Sequence, residues 1–273
     1  MLVFLLVAAP ASASVTVGQL DPGGSPGTCG NSFDFLQPTV TSGNSYVMPY
    51  PGTITSWTTR ANATAGLSMG LKIFRKVSDP TTYRAISSDG PRLLTPGGTA
   101  GNTFPTAIQV QKGDVLGVNV SPDPGVACLF PVPGDHYLYR YAFPLTTLPD
   151  GQEASFGTAV QEDRVNVSAV LEPSNVLSIG TVTRNRKKGT ATLNITTPNP
   201  GTLAVGGKGA IAKVAAADAT VPAGPVRVKV RAKGKRAATL NQTGKVKLSL
   251  AITFTPSSGA PATQSLKVKL RKG

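Results

Sequence analysis

The chain reads as all-β, built of two β-sandwich domains in tandem, and three observations carry that reading. Short runs of alternating or β-branched and aromatic residues recur from end to end, and no stretch shows the periodicity of a long amphipathic helix. The 30 Gly and 23 Pro have no collagen period and so supply turns. The charge changes abruptly at Leu171-Glu172-Pro173-Ser174-Asn175: residues 176–273 carry 18 Lys and Arg against the single acid Asp218, +17, leaving −3 on residues 1–175. A length of 273 residues suits two domains, each with its own core. The expected division is a signal peptide at 1–13, a jelly-roll-like sandwich at 15–172, a linker at 173–175 and a basic immunoglobulin-like sandwich at 176–273.

The amino terminus reads as an export signal. Met1 to Ala9 is a short apolar run, and Ala11-Ser12-Ala13 supplies a small-x-small cleavage pattern before Ser14. The run falls short of the ~20 residues that a bilayer span needs. The customary basic n-region is missing, which places the expected true start upstream. Export implies a secreted or cell-wall-associated protein, and with no apolar tail no transmembrane anchor is expected. An oxidising compartment permits the two cysteines, Cys29 and Cys128, to pair as a disulfide.

Val15 to Gly30 is punctuation-rich and reads as an extended entry segment held by Cys29. Strand-like runs follow at Phe33 to Gln37, Ile54 to Ala61, Ser68 to Val77, Tyr83 to Ser87, Ala107 to Gln111, Val115 to Val120, Tyr137 to Phe143 and Val165 to Leu171. Turns are expected between them, among them Asp89-Gly90-Pro91 and Lys112-Gly113-Asp114. Eight or more short strands in one domain suit a jelly roll. The Phe104 to Val118 hairpin, with Ile54-Thr55-Ser56-Trp57, Leu71-Lys72-Ile73-Phe74-Arg75 and Val126-Ala127-Cys128-Leu129-Phe130, resembles a module common in secreted proteins of high-GC bacteria. The resemblance implies an uncharacterised jelly roll and carries no catalytic motif.

One candidate ligand face stands out in this half. Period-two spacing puts Tyr137, Tyr139 and Tyr141 on one side of a strand, where phenol rings could stack on sugars. The competing reading makes them the inner face of the sandwich. Catalysis has weaker signals: the single histidine, His136, lacks a nucleophile elbow, and the acids Asp114, Asp123, Asp135, Glu153, Glu162 and Asp163 are scattered over expected loops. No Asp-x-Asp-x-Asp run marks a calcium loop, so neither a metal nor a cofactor is expected.

In the second half, strands are expected at Val176 to Thr183, Thr190 to Thr196, Thr202 to Val205, Ala210 to Ala216, Val226 to Ala232, Lys245 to Thr255 and Gln264 to Arg271. Seven strands suit an immunoglobulin-like sandwich. Alternation sends Arg227, Lys229 and Arg231 outward, and likewise Lys245, Lys247, Lys267, Lys269 and Arg271. Because consecutive strands are often neighbours, these are expected to merge into one basic face, joined by the Arg184-Asn185-Arg186-Lys187-Lys188 turn. Lys187-Lys188-Gly189-Thr190-Ala191-Thr192-Leu193, Pro198-Asn199-Pro200-Gly201-Thr202-Leu203 and Lys233-Gly234-Lys235-Arg236 resemble the Lys-rich immunoglobulin-like modules that close many secreted proteins of the same bacteria. That resemblance implies an accessory or wall-facing domain.

A face of this charge attracts polyanions. Nucleic acid is disfavoured because the chain reads as exported and its basic half has one aromatic, Phe254, and no groove-entering helix. The sequence therefore points to a secreted, non-enzymatic protein of the cell envelope, retained on an anionic wall polymer or polysaccharide. A carbohydrate-binding module using the tyrosine row is the first rival, and a polysaccharide-acting enzyme the second.

Overall fold

The computed structural model describes every residue except 1–13, 24–25, 30–33, 98–100, 121–124, 142–145 and 215–219, with 211–214 described by their backbone alone. The expected signal peptide thus lies outside the described residues, as do Phe33, Phe143 and Asp218. Strands make up 58% against one short helix among the described residues, which bears out the all-β reading. The chain divides into two compact units between Glu172 and Pro173. At residues 173–175, Asn199 Nδ2 donates to the Ser174 carbonyl at 2.6 Å and Asn175 Nδ2 to that of Ala260 at 3.0 Å, fastening Ser174 and Asn175 to the second unit.

The first unit contains β1 (Val15–Gln19), β2 (Gly27–Thr28), β3 (Asp34–Leu36), β4 (Gly52–Thr59), β5 (Ser68–Lys76), β6 (Thr82–Leu93), β7 (Asn102–Val110), β8 (Val115–Val120), β9 (Ala127–Pro131), β10 (Leu138–Arg140), β11 (Glu153–Ser155), β12 (Gly157–Thr158), β13 (Asp163–Val165) and β14 (Val167–Pro173). Of its three sheets among the described residues, one has the order β1-β14-β4-β7, a second, of seven strands, contains β3-β8-β5-β6, and a third has the order β13-β9-β2. Numbered as eight strands, the two sets of four have the strand orders of a jelly roll, with β2 added after the first strand and β9 to β13 before the last. The entry segment is therefore structural from its start, since Val15 to Gln19 pair antiparallel with Val167 to Leu171.

Two departures from the expected strands have local causes. Asp89-Gly90-Pro91 lies inside β6 rather than in a turn, at an irregularity in its register with β5 between Met69 and Leu71. Gly90 sits there at φ 119° against Gly70, where an added Cβ would come within 2.9 Å of the Gly70 Cα. Of the described residues of the run Tyr137 to Phe143, Leu138–Arg140 form strand.

The jelly roll holds two apolar clusters. The inner one, between the sheets, includes Phe35, Trp57, Leu71, Ile73, Leu116, Val118 and Leu171. The second gathers Leu36, Phe74, Tyr83, Val115, Leu138, Leu148 and Phe156 on the opposite side of the same strands. β11 and β12 stand at opposite edges of the seven-stranded sheet yet are separated only by Phe156. The sheet therefore curls, and residues 146–158 close it over this second cluster, with Phe156 edge-on to Phe74 at 5.4 Å. A disulfide joins Cys29 to Cys128, with Cα atoms 5.5 Å apart.

The second unit contains β15 (Ser178–Asn185), β16 (Thr190–Thr197), β17 (Gly201–Gly206), β18 (Ala210–Val214), β19 (Thr220–Val221), β20 (Gly224–Ala232), α1 (Lys235–Thr243), β21 (Lys245–Pro256) and β22 (Ala262–Arg271). Its sheets run β15-β16-β20-β18 and β19-β17-β21-β22. Apart from the two-residue edge strand β19, this is the four-plus-three arrangement of an immunoglobulin constant-type domain. Ala191, Leu193 and Ile195 pair in register with Val230, Val228 and Val226, and these face Val246, Leu248, Leu250 and Phe254 of the other sheet in a single core. No described helix is long and apolar enough to cross a membrane.

Candidate functional site

The expected single basic face does not form. Arg227, Lys229 and Arg231 lie on β20, in the first sheet of the immunoglobulin-like domain, whereas Lys245, Lys247, Lys267, Lys269 and Arg271 lie on β21 and β22, in the second. In a sandwich the outward residues of opposite sheets point away from each other. The sequence neighbours β20 and β21 thus belong to different layers, and α1 carries the chain from one to the other.

The two faces differ in charge density. On β20, Arg227, Lys229 and Arg231 stand opposite the uncharged Asn194, Thr192 and Thr190 of β16, while on its other side Lys229 stands opposite Lys213 of β18, the one like-charged pair of this sheet among the described residues. On the second sheet, Lys245 pairs directly with Arg271 and Lys247 with Lys269, and Lys267 follows opposite Ser249. Opposed residues of an antiparallel pair have Cβ atoms about 5 Å apart, where like charges repel. All six ion pairs among the described residues lie in the jelly roll, so none neutralises this ribbon. The Arg184 to Lys188 turn adjoins the same edge: Arg184 Nε donates to the Lys269 carbonyl at 2.9 Å.

A helix completes the site. α1 runs from Lys235 to Thr243, anchored by buried Leu240 and ended by Gly244 in the left-handed region at φ 66°. Together α1, β21 and β22 enclose an open groove of about 520 Å³ lined by Arg236, Thr239, Thr243, Lys245, Val246, Lys247 and Lys269. The Arg236 stem lies on Gly209, at φ 77°, whose missing side chain makes the room: an added Cβ would collide with the Arg236 Cγ. Thr239 and Thr243 donate their hydroxyls to the carbonyls of Lys235 and Thr239, so the groove's free donors are its cations. A second trough of about 630 Å³ continues along the same ribbon, lined by Gly207, Ser249, Leu250, Ala251, Ser265, Leu266 and Lys267. Sequence reasoning missed α1 and with it Arg236. The available signal was Lys235-Arg236-Ala237-Ala238 leading to Leu240 and closed by Gly244, a short run of helix formers with a glycine stop.

The tyrosine row is graded rather than exposed. Tyr137 is 7% exposed and packs on Phe35 with ring centroids 5.7 Å apart, Tyr139 is half-buried against the inner core, and Tyr141 is 58% exposed. The cause is register: Tyr139 stands opposite Phe35, and Phe35 faces the space between the sheets. A three-ring stacking platform is therefore not formed.

Five of the jelly roll's acids, Asp34, Asp89, Asp114, Asp135 and Glu153, are held by cations. Asp114 receives both Arg75 Nε at 2.7 Å and Nη2 at 2.9 Å, and the Arg84 guanidinium reaches Glu153. Asp135, beside His136, pairs with Arg164 and accepts the Thr41 N–H at 2.7 Å. Burial alone would raise its pKa, but these hydrogen bonds and the guanidinium overcome it and hold the carboxyl below its ordinary range. His136 Nδ1 lies 3.3 Å from the Gln161 carbonyl, not against Asp135. Burial pushes the Asp163 carboxyl up. Among the described residues no three His, Cys, Asp or Glu side chains are grouped to hold a metal.

No protein-family model matches the chain, and no curated protein or solved structure matches it.

Proposed function

We propose that the protein is retained on an anionic polymer of the cell envelope by its immunoglobulin-like domain, and that it acts there by binding rather than by catalysis. The observation that carries this reading is the pair of like-charged cross-strand partners, Lys245 with Arg271 and Lys247 with Lys269, left without counter-ions among the described residues. Such pairs cost ~0.2–1 kcal/mol each in the free protein. Solubility does not require the cost, because the same charges spread apart would serve equally. A polyanion laid along the ribbon turns the repulsion into attraction and releases its own counter-ions. The export-like amino terminus supports an extracellular setting, where such polymers are available.

The rival readings draw less support. Sugar stacking has one exposed ring, Tyr141, in place of three. Glycosidic acid–base chemistry needs two carboxyls facing each other across a cleft, whereas Asp34, Asp114 and Asp135 are each engaged by Arg or Lys.

Neutralising the ribbon tests the proposal. The Lys245→Gln/Lys247→Gln/Lys269→Gln variant is expected to lower affinity for isolated wall polymer about tenfold or more at low salt and to flatten the salt dependence by ~2–3 in slope. Binding equal to that of the unmodified protein would remove the reading.

A further inference from the structure

The basic ribbon is more than a diffuse charge, because at one end its cations converge from three elements. Arg236 comes from α1, Lys245 and Lys247 from β21, and Lys269 from β22, all lining one groove. The Arg236 stem packs on Gly209, while the residue as a whole stays exposed. Four cations thus line one groove, and no described carboxylate shares it.

We propose that this groove is a phosphate site, with Arg236, Lys245, Lys247 and Lys269 as its ligands, and that it grips one phosphate of a linear phosphodiester polymer. The inference rests on the retention reading and names the chemistry that is retained. Four cations around one cavity exceed what a planar, singly charged carboxylate can use. A phosphate offers several acceptor oxygens at once, to a guanidinium fork and to ammonium point charges. The polymeric form follows from the second trough, which continues from the groove along β21 and β22 past Lys267 to Ser249, Ala251 and Ser265. Successive outward residues of a strand are ~6.8 Å apart. An extended chain thus meets the charged rungs Lys245 with Arg271, Lys247 with Lys269 and Ser249 with Lys267 first and then the uncharged rung Ala251 with Ser265, which suits an uncharged linkage between phosphates.

The test uses the full chain with long-chain inorganic polyphosphate, polyglutamate and tripolyphosphate as probes, at one ionic strength. Arg236→Gln is expected to weaken polyphosphate binding about tenfold, the scale of a lost charge-assisted contact, while Arg227→Gln on the opposite sheet weakens it less than about twofold by removing the same charge. Arg236→Lys is expected to lower the affinity for polyphosphate more than that for polyglutamate and so to remove the preference for polyphosphate. Equal losses from Arg236→Gln and Arg227→Gln, or a preference that survives Arg236→Lys, would overturn the site while leaving retention standing. Tripolyphosphate competing as well as the polymer at equal phosphate would assign the groove to a small anion and overturn the polymer. Absence of any salt-sensitive polyanion binding by the unmodified chain would overturn both the site and the retention reading.

Discussion

Asp34→Ala is expected to cost the jelly roll ~3–5 kcal/mol, because it strands a buried cation. Asp34 and Lys72 are 0% and 1% exposed, and Lys72 Nζ lies 3.5 Å from Asp34 Oδ1. The same carboxylate accepts Arg140 Nε at 2.9 Å, Thr147 Oγ1 at 2.8 Å and the Leu148 N–H at 2.8 Å. One side chain therefore both neutralises Lys72 and fastens residues 146–158 over the second apolar cluster. Burial lowers the Lys72 pKa despite the attraction of Asp34, so the ammonium already sits where desolvation is felt. Removing its counter-charge leaves that desolvation uncompensated. The Asp34→Leu/Lys72→Met double variant is expected to recover only the part of the loss that the stranded ammonium causes, since Arg140, Thr147 and the Leu148 N–H remain without their acceptor. Urea titration followed by tryptophan fluorescence reads this domain alone, because Trp57 is the single tryptophan and is fully buried in it. A loss below about 1 kcal/mol for Asp34→Ala would show that the cluster does not hold the strap.

Removing the disulfide is the second large effect. Cys29 and Cys128 are 99 residues apart in sequence, and closing a loop of that length restricts the unfolded chain by about 4–5 kcal/mol in the entropy account. Both cysteines are buried. The Cys29→Ala/Cys128→Ala variant is expected to lose stability on that scale by Trp57 fluorescence. Hydrogen exchange in the core of the immunoglobulin-like domain, which contains neither cysteine, is expected to stay unchanged. An unchanged urea midpoint for the jelly roll would contradict the assignment of the bridge as its staple.

Much of the fold was legible because alternation is local. Val226, Val228 and Val230 against Arg227, Lys229 and Arg231 announce an inner and an outer side, and the structure keeps those sides. Alternation does not say which sheet a strand joins. That is why the cations of β20 and of β21–β22 looked continuous, although α1 crosses between layers and separates them. Nor does period two say which of a strand's sides is inner: Tyr137 and Tyr139 share a side, and the pairing of Tyr139 with Phe35 turns it inward. Lys72 reads as a solvent residue within Leu71-Lys72-Ile73, yet the sheet curls and residues 146–158 cover it. That strap is loop-like text whose ties, Asp34 to Thr147 and Leu148, are more than 110 positions away in sequence. The candidate site was half visible: its lysines follow from strand alternation, whereas Arg236 depends on a short helix and on the bare backbone of Gly209.

These pieces assign different work to the two domains. The jelly roll spends its charges internally, on Asp34, Asp114 and Asp135 and their partners. The immunoglobulin-like domain leaves its charges outward and, among the described residues, without ion pairs. Retention by such a surface is set by counter-ion release, which makes affinity fall linearly with the logarithm of salt concentration. The most direct measurement is the affinity of the full chain for isolated cell-envelope fragments across a salt series at fixed pH. The account predicts a straight decline of log affinity with log salt, steepest for the unmodified protein and shallower for the Lys245→Gln/Lys247→Gln/Lys269→Gln variant. Binding that holds constant as salt rises would contradict it.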